Sequence, residues 1–230
     1  MEVQTILFDL DGTLTDPREG ITRCIQYSLG RLGKDIPATD ELLWCIGPPL
    51  RHSFSALLES GDTRLIEDAM TFYRERFLKI GMFENSVYPG VPETLEAIRA
   101  EGVRVVLATS KPTVYAVPIL DHFCLSRFFR GIYGSELDGR LSDKGELVAH
   151  IVATEGLDIR SCVMVGDRCH DIAGGKKNGM RTAMVSYGYG DRDEIERAEP
   201  DVVINSPVEL VTWIAGKQRA RTFGYGRRWR

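Results

Sequence analysis

The sequence lacks any long apolar run. Its longest are a few residues, such as Val105–Ala108, whereas a membrane-spanning helix needs about 20 apolar residues. No such helix is expected. The start also lacks a basic segment leading into an apolar core, since Glu2 opens directly onto a strand-like run. The expectation is a cytoplasmic protein with no membrane partner. Cysteine is scarce and scattered. Cys24, Cys45, Cys124, Cys162 and Cys169 are odd in number and form no Cys-x-x-Cys pair, which argues against a disulfide frame or a zinc site. Sequence repeats and low-complexity tracts are absent. Acid is missing from the last fifteen residues, which hold Lys217, Arg219, Arg221, Arg227, Arg228 and Arg230. The rest of the chain is therefore more acidic than the net charge of −4 indicates. Such a body is a poor general binder of nucleic acid. The tail reads as a loosely docked end, with a phosphate-polymer contact as the alternative.

What is present is ordinary globular composition, 43% hydrophobic and 27% charged in 230 residues, enough for one domain or two small ones. Val3–Phe8 is β-rich and closes in Asp9-Leu10-Asp11-Gly12-Thr13, the pattern of a buried strand delivering a loop. From Pro17 to Gly81 the period is helical. Ile21, Ile25, Leu29 and Leu32 recur at three- and four-residue steps, and Gly47-Pro48-Pro49 and Gly61 break the pattern. A new helix should start at Leu50. Beyond Pro89-Gly90, strand-like and helical segments alternate. Strands are expected near 103–108, 131–133, 161–165, 182–185 and 202–204. Helices are expected over 91–100, 112–123, 144–155, 171–178 and 207–215. Alternation of this kind implies a parallel sheet covered on both faces. The fold class is α/β, a doubly wound, Rossmann-like parallel sheet with an inserted all-helical segment after the first strand.

Ligands of open parallel sheets collect at the carboxyl ends of the strands. The first polar groups after the apolar runs are Asp9 and Asp11, Thr109-Ser110-Lys111, and Asp167 with Asp171. Lys144 begins the helix before the last of these strands. Carboxylates crowded together need a cation, and oxygen-only ligands select a hard one such as Mg²⁺. A hydroxyl, backbone N–H groups and a lysine suit phosphoryl oxygens. The set points to Mg²⁺-dependent phosphoryl transfer. Metal binding without chemistry and a receiver-like phosphorylation switch stay open at this point.

The residues resemble the motifs of the haloacid dehalogenase superfamily. Phe8-Asp9-Leu10-Asp11-Gly12-Thr13-Leu14 looks like its first motif and Ala108-Thr109-Ser110-Lys111-Pro112 its second. Lys144 matches the third, and Gly166-Asp167-Arg168-Cys169-His170-Asp171 the fourth. The resemblance covers residues 3–215, and the helical insertion is similar to the cap of the phosphoglycolate phosphatase-like and 5′-nucleotidase-like subgroup. It implies core residues 1–15 and 84–230, with the cap at 16–83. It implies Asp9 as nucleophile, forming an aspartyl-phosphate. Asp11 becomes general acid, then base, and lends its backbone carbonyl to Mg²⁺. Thr109, with Ser110 beside it, holds phosphoryl oxygens. Lys144 pairs with Asp9, and Asp167 and Asp171 complete the metal set of Asp9, Asp11, Asp167 and Asp171. The implied function is Mg²⁺-dependent hydrolysis of a small phosphate ester, phosphoglycolate or a 5′-nucleotide. The alternatives are a sugar phosphomutase and a non-catalytic binding or regulatory homologue. Oligomeric state is left undetermined.

Weaker candidates lie in the insertion. Arg51 and His52 are candidate substrate contacts at the start of the Leu50 helix, with a salt-bridged surface role for Arg51 as the alternative. Trp44 and Phe54 read as cap core. Lys111 reads as a loop residue, with a phosphate contact as the alternative, and Cys169 and His170 as facing away from the site.

Overall fold

The computed structural model describes residues 2–222, with side-chain surroundings to residue 216. The basic tail reading falls largely outside the described residues. The sheet contains β1 (Thr5–Phe8), β4 (Arg104–Pro112), β5 (Gly131–Ser135), β6 (Cys162–Gly166), β7 (Arg181–Val185) and β8 (Val202–Ile204), ordered β5-β4-β1-β6-β7-β8. Every pairing in it is parallel. Successive side chains of a strand point to opposite faces, and the central strands obey this throughout. Ile6 and Phe8, Val105 and Leu107, and Val163 and Val165 enter one buried cluster. Leu7, Val106 and Ala108, and Cys162 and Met164 enter the other.

Helices α4 (Val91–Ala100) and α9 (Pro207–Thr222) pack together, as do α6 (Lys144–Glu155) and α7 (Cys169–Lys177). α5 (Thr113–His122) carries Pro118 in its interior without ending there. Leu147, Val148 and Ile151 of α6 close the second cluster over the sheet. This two-sided cover is the arrangement that the alternating sequence implied. One helix was not foreseen. α8 (Arg192–Ala198) buries none of its residues, so it carries no apolar period to read.

Between β1 and β4 the chain forms α1 (Arg18–Arg31), a 3₁₀ segment (Thr39–Cys45), α2 (Leu50–Leu57) and α3 (Thr63–Lys79). α1 and α2 both pack on α3. Phe54, Ile25, Leu29, Ala69 and Tyr73 are buried there, with Phe54 edge-on to Tyr73 at 6.2 Å between ring centroids. Asp62 caps α3 by accepting from the Arg64 backbone N–H at 2.9 Å. Trp44 departs from the expected core role, with 40% of its surface exposed. It lies on a 3₁₀ segment, whose three-residue turn places it off the face that a 3.6 period would assign. The two ends of the insertion meet in a short antiparallel ribbon of β2 (Thr15–Asp16) and β3 (Ser86–Val87). Arg76, near the end of α3, holds Glu84 beside that ribbon at 2.6 Å, and Arg23 of α1 holds the same carboxylate at 3.1 Å.

Candidate active site

Register brings the candidate residues to one rim. Phe8 aligns with Leu107 on one side and Val165 on the other, so Asp9, Thr109 and Asp167 emerge from neighbouring strands. The Asp9 N–H donates to the Val165 carbonyl at 2.9 Å, fixing the start of the loop. The loop turns at Gly12, whose φ is +82°. A Cβ there would lie 2.1 Å from Asp167 Oδ2, so only glycine lets the first and fourth segments approach this closely.

Asp9, Asp11, Thr109, Lys144, Asp167 and Asp171 are all buried. Asp143 caps α6 by accepting from the Glu146 N–H at 2.9 Å. That cap sets Lys144 at the first turn, where its Nζ lies 2.9 Å from Asp9 Oδ1 and 2.8 Å from Asp171 Oδ1. It also donates to the Ala108 carbonyl at 2.8 Å. Burial pulls this ammonium down, but Asp171 and Asp9 more than offset it and the net shift is upward. Asp167 accepts from the Tyr189 N–H at 2.8 Å. Burial pushes Asp167 well above the usual carboxylate range, and Asp171 and Asp9 push further. Burial likewise raises Asp171 to about 6 against the opposing pull of Lys144. The Asp171 carboxylate accepts from the Arg168 N–H at 3.1 Å.

Ligand oxygens of Asp9, Asp167 and Asp171 lie within 4.8 Å of one another. Lys144 pairs with two of these three buried carboxylates, Asp9 and Asp171, and leaves Asp167 without an ammonium, so the donor set fits a hard divalent cation. The Asp11 side chain is not part of this cluster. Its Oδ2 lies 2.7 Å from Lys111 Nζ, and burial raises its pKa while Lys111 opposes the rise. Lys111 therefore departs from its reading as a loop residue. The register shift between Thr109 and Pro112 turns its side chain into the site, a change of face that sequence spacing does not reveal. Thr109 Oγ1 accepts from the Lys111 N–H at 3.2 Å, and the Ser110 carbonyl accepts from Ser135 Oγ at 2.8 Å.

Asp11, Ser110 and Lys111 stand on the wall of a cavity of about 340 Å³ between the sheet rim and the helical insertion. Met70, Tyr73, Arg74 and Phe77 of α3 form much of the opposite wall. Arg51 reaches this cavity but is paired with Glu67. His52 does not line it. It is exposed on an adjoining cleft with Trp44, His170 and Lys177, which reaches Ser110 and Lys144 of the site from the other side of Gly47-Pro48-Pro49. Arg168, which carried no signal beyond its motif position, bridges the two layers. Its Nη1 donates to the Ile46 carbonyl and its Nε to Glu194 at 3.0 Å. The Cβ of any residue replacing Gly47 would sit 2.8 Å from Arg168 Cγ.

A family model described as "Haloacid dehalogenase-like hydrolase" matches residues 6–185. The chain belongs to that family. A 5′-nucleotidase of Pseudomonas aeruginosa is 49% identical over 195 residues, 85% of this chain and 88% of that protein. The tyrosine-protein kinase PtkA of Mycobacterium tuberculosis is 35% identical over 203 residues, 88% of this chain and 69% of that one. A phosphoglycolate phosphatase of Pseudomonas savastanoi is 30% identical, with coverage of 90% and 78%. A crystal structure of a predicted phosphatase from Clostridium acetobutylicum superposes with a TM-score of 0.90 at 38% identity, covering 94% of this chain and all of that one. The haloacid dehalogenase-like hydrolase is thus an enzyme with a parallel-sheet core, as its four motifs implied. Among its described residues no helix is long and apolar enough to cross a membrane.

Proposed function

We propose that this hydrolase is a Mg²⁺-dependent phosphatase that releases phosphate from a 5′-nucleotide, with residues 1–15 and 84–230 as its core and 16–83 as a cap. The observation that carries the reading is the pairing of Asp9, held by Lys144, with Asp11 at the wall of a cavity of nucleoside scale. Glycolate, the leaving group of phosphoglycolate, has only five heavy atoms. At a liquid-water share of ~30 Å³ each it fills at most about 150 Å³, less than half of the 340 Å³ present. The relative named 5′-nucleotidase supports the same choice.

In this reading Asp9 attacks phosphorus, and the bond to the ester oxygen breaks as the aspartyl-phosphate forms. Asp11, whose proton is favoured by burial, gives it to the leaving alcohol. Asp11 then takes a proton from the water that attacks the aspartyl-phosphate, and phosphate leaves. Thr109, backbone N–H groups around Ser110, and Lys144 hold the phosphoryl oxygens. Asp9, Asp167, Asp171 and the Asp11 carbonyl would hold Mg²⁺, which as a Lewis acid neutralises carboxylate and phosphoryl charge. A closing cap excludes bulk water while the intermediate exists.

The test is phosphate release from a panel of 5′-nucleotides, phosphoglycolate and p-nitrophenyl phosphate, with Mg²⁺ and with EDTA. Nucleotides should lead, EDTA should abolish turnover, and Asp9→Asn should lose several orders of magnitude while staying folded. Full turnover in EDTA, or by folded Asp9→Asn, defeats the mechanism. A requirement for a sugar bisphosphate would favour a phosphomutase.

A further inference from the structure

Among the described residues, one cation in the cavity has no partner. Of its three basic side chains, Lys111 is held by Asp11 and Arg51 by Glu67. Arg74 is half-buried on the same wall, and among the described residues no acceptor pairs with it. A guanidinium so placed is partly stripped of water, and a ligand with acceptors entering the cavity would return the hydrogen bonds it lacks.

Its position along α3 can be gauged from the reactive end. Lys111 Nζ, beside Asp11, lies 4.8 Å from the centroid of the Phe77 ring. Phe77, Arg74, Met70 and Glu67 follow one helical face away from it. At ~1.5 Å per residue, Arg74 lies roughly 4.5 Å along the helix axis from Phe77, and Glu67 roughly 15 Å. The leaving oxygen must lie at Asp11. The ribose of a nucleotide would then pass Phe77, and the base would come level with Arg74 and Met70. Arg51 and Glu67, tied to each other, lie beyond them on the same cavity wall.

Arginine offers donors only. Its planar fork matches an edge with two neighbouring acceptors, as O6 and N7 of a 6-oxopurine provide. A 6-aminopurine replaces O6 with a donor and leaves half the fork unpaired. We propose that Arg74 reads the base of the nucleotide through its acceptor edge, and so favours 6-oxopurine 5′-nucleotides over their 6-amino counterparts. The assignment rests on the nucleotide reading above. Arg51, the cap residue expected as a substrate contact, is instead paired with Glu67, as its salt-bridged alternative reading had it.

Inosine and adenosine 5′-monophosphates differ at position 6 and in the proton on N1, share N7, and form the test pair, with p-nitrophenyl phosphate as the ester without a base. The wild type should prefer the inosine ester in kcat/KM by roughly ten- to a hundredfold, the range for a bidentate pair. Arg74→Gln and Arg74→Ala should erase most of that preference, chiefly through KM, and should lose at least tenfold more on the inosine ester than on p-nitrophenyl phosphate. Thermal melts that stay near wild type confirm that the variants are folded. Arg74→Lys, with the charge but not the fork, should recover only part of the preference. An unchanged ratio in folded Arg74→Gln overturns the assignment while leaving nucleotide hydrolysis intact. Failure of the wild type on every nucleotide, with p-nitrophenyl phosphate still cleaved, overturns both readings. Equal wild-type rates on the two esters overturn the base preference alone.

Discussion

At the scale of single residues, small changes near Asp11 should have large and distinct effects. Gly12 adopts a φ of +82° and would place a Cβ 2.1 Å from Asp167. Gly12→Ala should therefore lose at least tenfold in turnover and weaken the response to Mg²⁺, since the first and fourth motifs must separate. Wild-type kinetics in that variant would show that the loop can yield. Lys111 acts in another way. It opposes the upward push of burial on Asp11, so Lys111→Met removes the charge that favours the ionised form. The step that needs ionised Asp11 as base should move to higher pH. The acidic limb of kcat against pH should shift upward by about one unit or more, and a limb that stays in place would detach Lys111 from Asp11. The sequence made Asp9, Asp11 and Asp167 legible because they follow apolar strands directly. Lys111 and Arg74 were not legible. The first depends on a register shift at the end of β4, and the second on which helical face the cap turns to the sheet.

At the scale of elements, the joint of the insertion is held by charge. Glu84 accepts from Arg76 at 2.6 and 3.0 Å and from Arg23 at 3.1 Å. The bonds from Arg76 pull its carboxyl below the usual range, burial opposes them, and Arg23 adds to the pull. A depressed carboxylate stabilises the fold fully above its unfolded value of 4.5. That contribution is lost as pH falls through the lower, folded value. Melts between pH 6 and 3 should show this loss, and Glu84→Gln should remove part of it at a cost of about 1–2 kcal/mol near neutrality. Identical pH profiles for the two proteins would remove Glu84 from the joint. The same region shows where sequence reading stops. The long helices and central strands announce themselves by period, whereas β2 and β3 are two residues each, too short to have one. α8 fails for the opposite reason, being seven residues with only Ile195 and Ala198 apolar and none buried.

At the scale of the whole molecule, the metal and the two layers should act together. Burial raises Asp167 and Asp171, so near pH 7 the metal-free protein holds carboxylates that cost it stability. Mg²⁺ at about 100 times its Kd should add about 2.7 kcal/mol, which is roughly 5–10 °C in Tm for a chain of this size. Asp167→Asn should shrink that shift, and no shift at saturating Mg²⁺ would argue against the carboxylate site. The four motifs belong to one sheet edge, yet the cavity exists only because the helical layer lies above it.

The ribbon of β2 and β3 has a consequence of another kind. Thr15 pairs with Val87 and Asp16 with Ser86, so the chain leaves the core and returns to it at adjacent points. To the sheet, everything between is one closed hairpin loop, whatever its length or shape. Insertions exchanged at that clasp need not disturb the strand order or the four motifs. Lineages could therefore trade the part that chooses the leaving group while inheriting the part that cleaves phosphate, and relatives with the same chemistry could diverge in substrate by replacing a cassette rather than by rebuilding an active site.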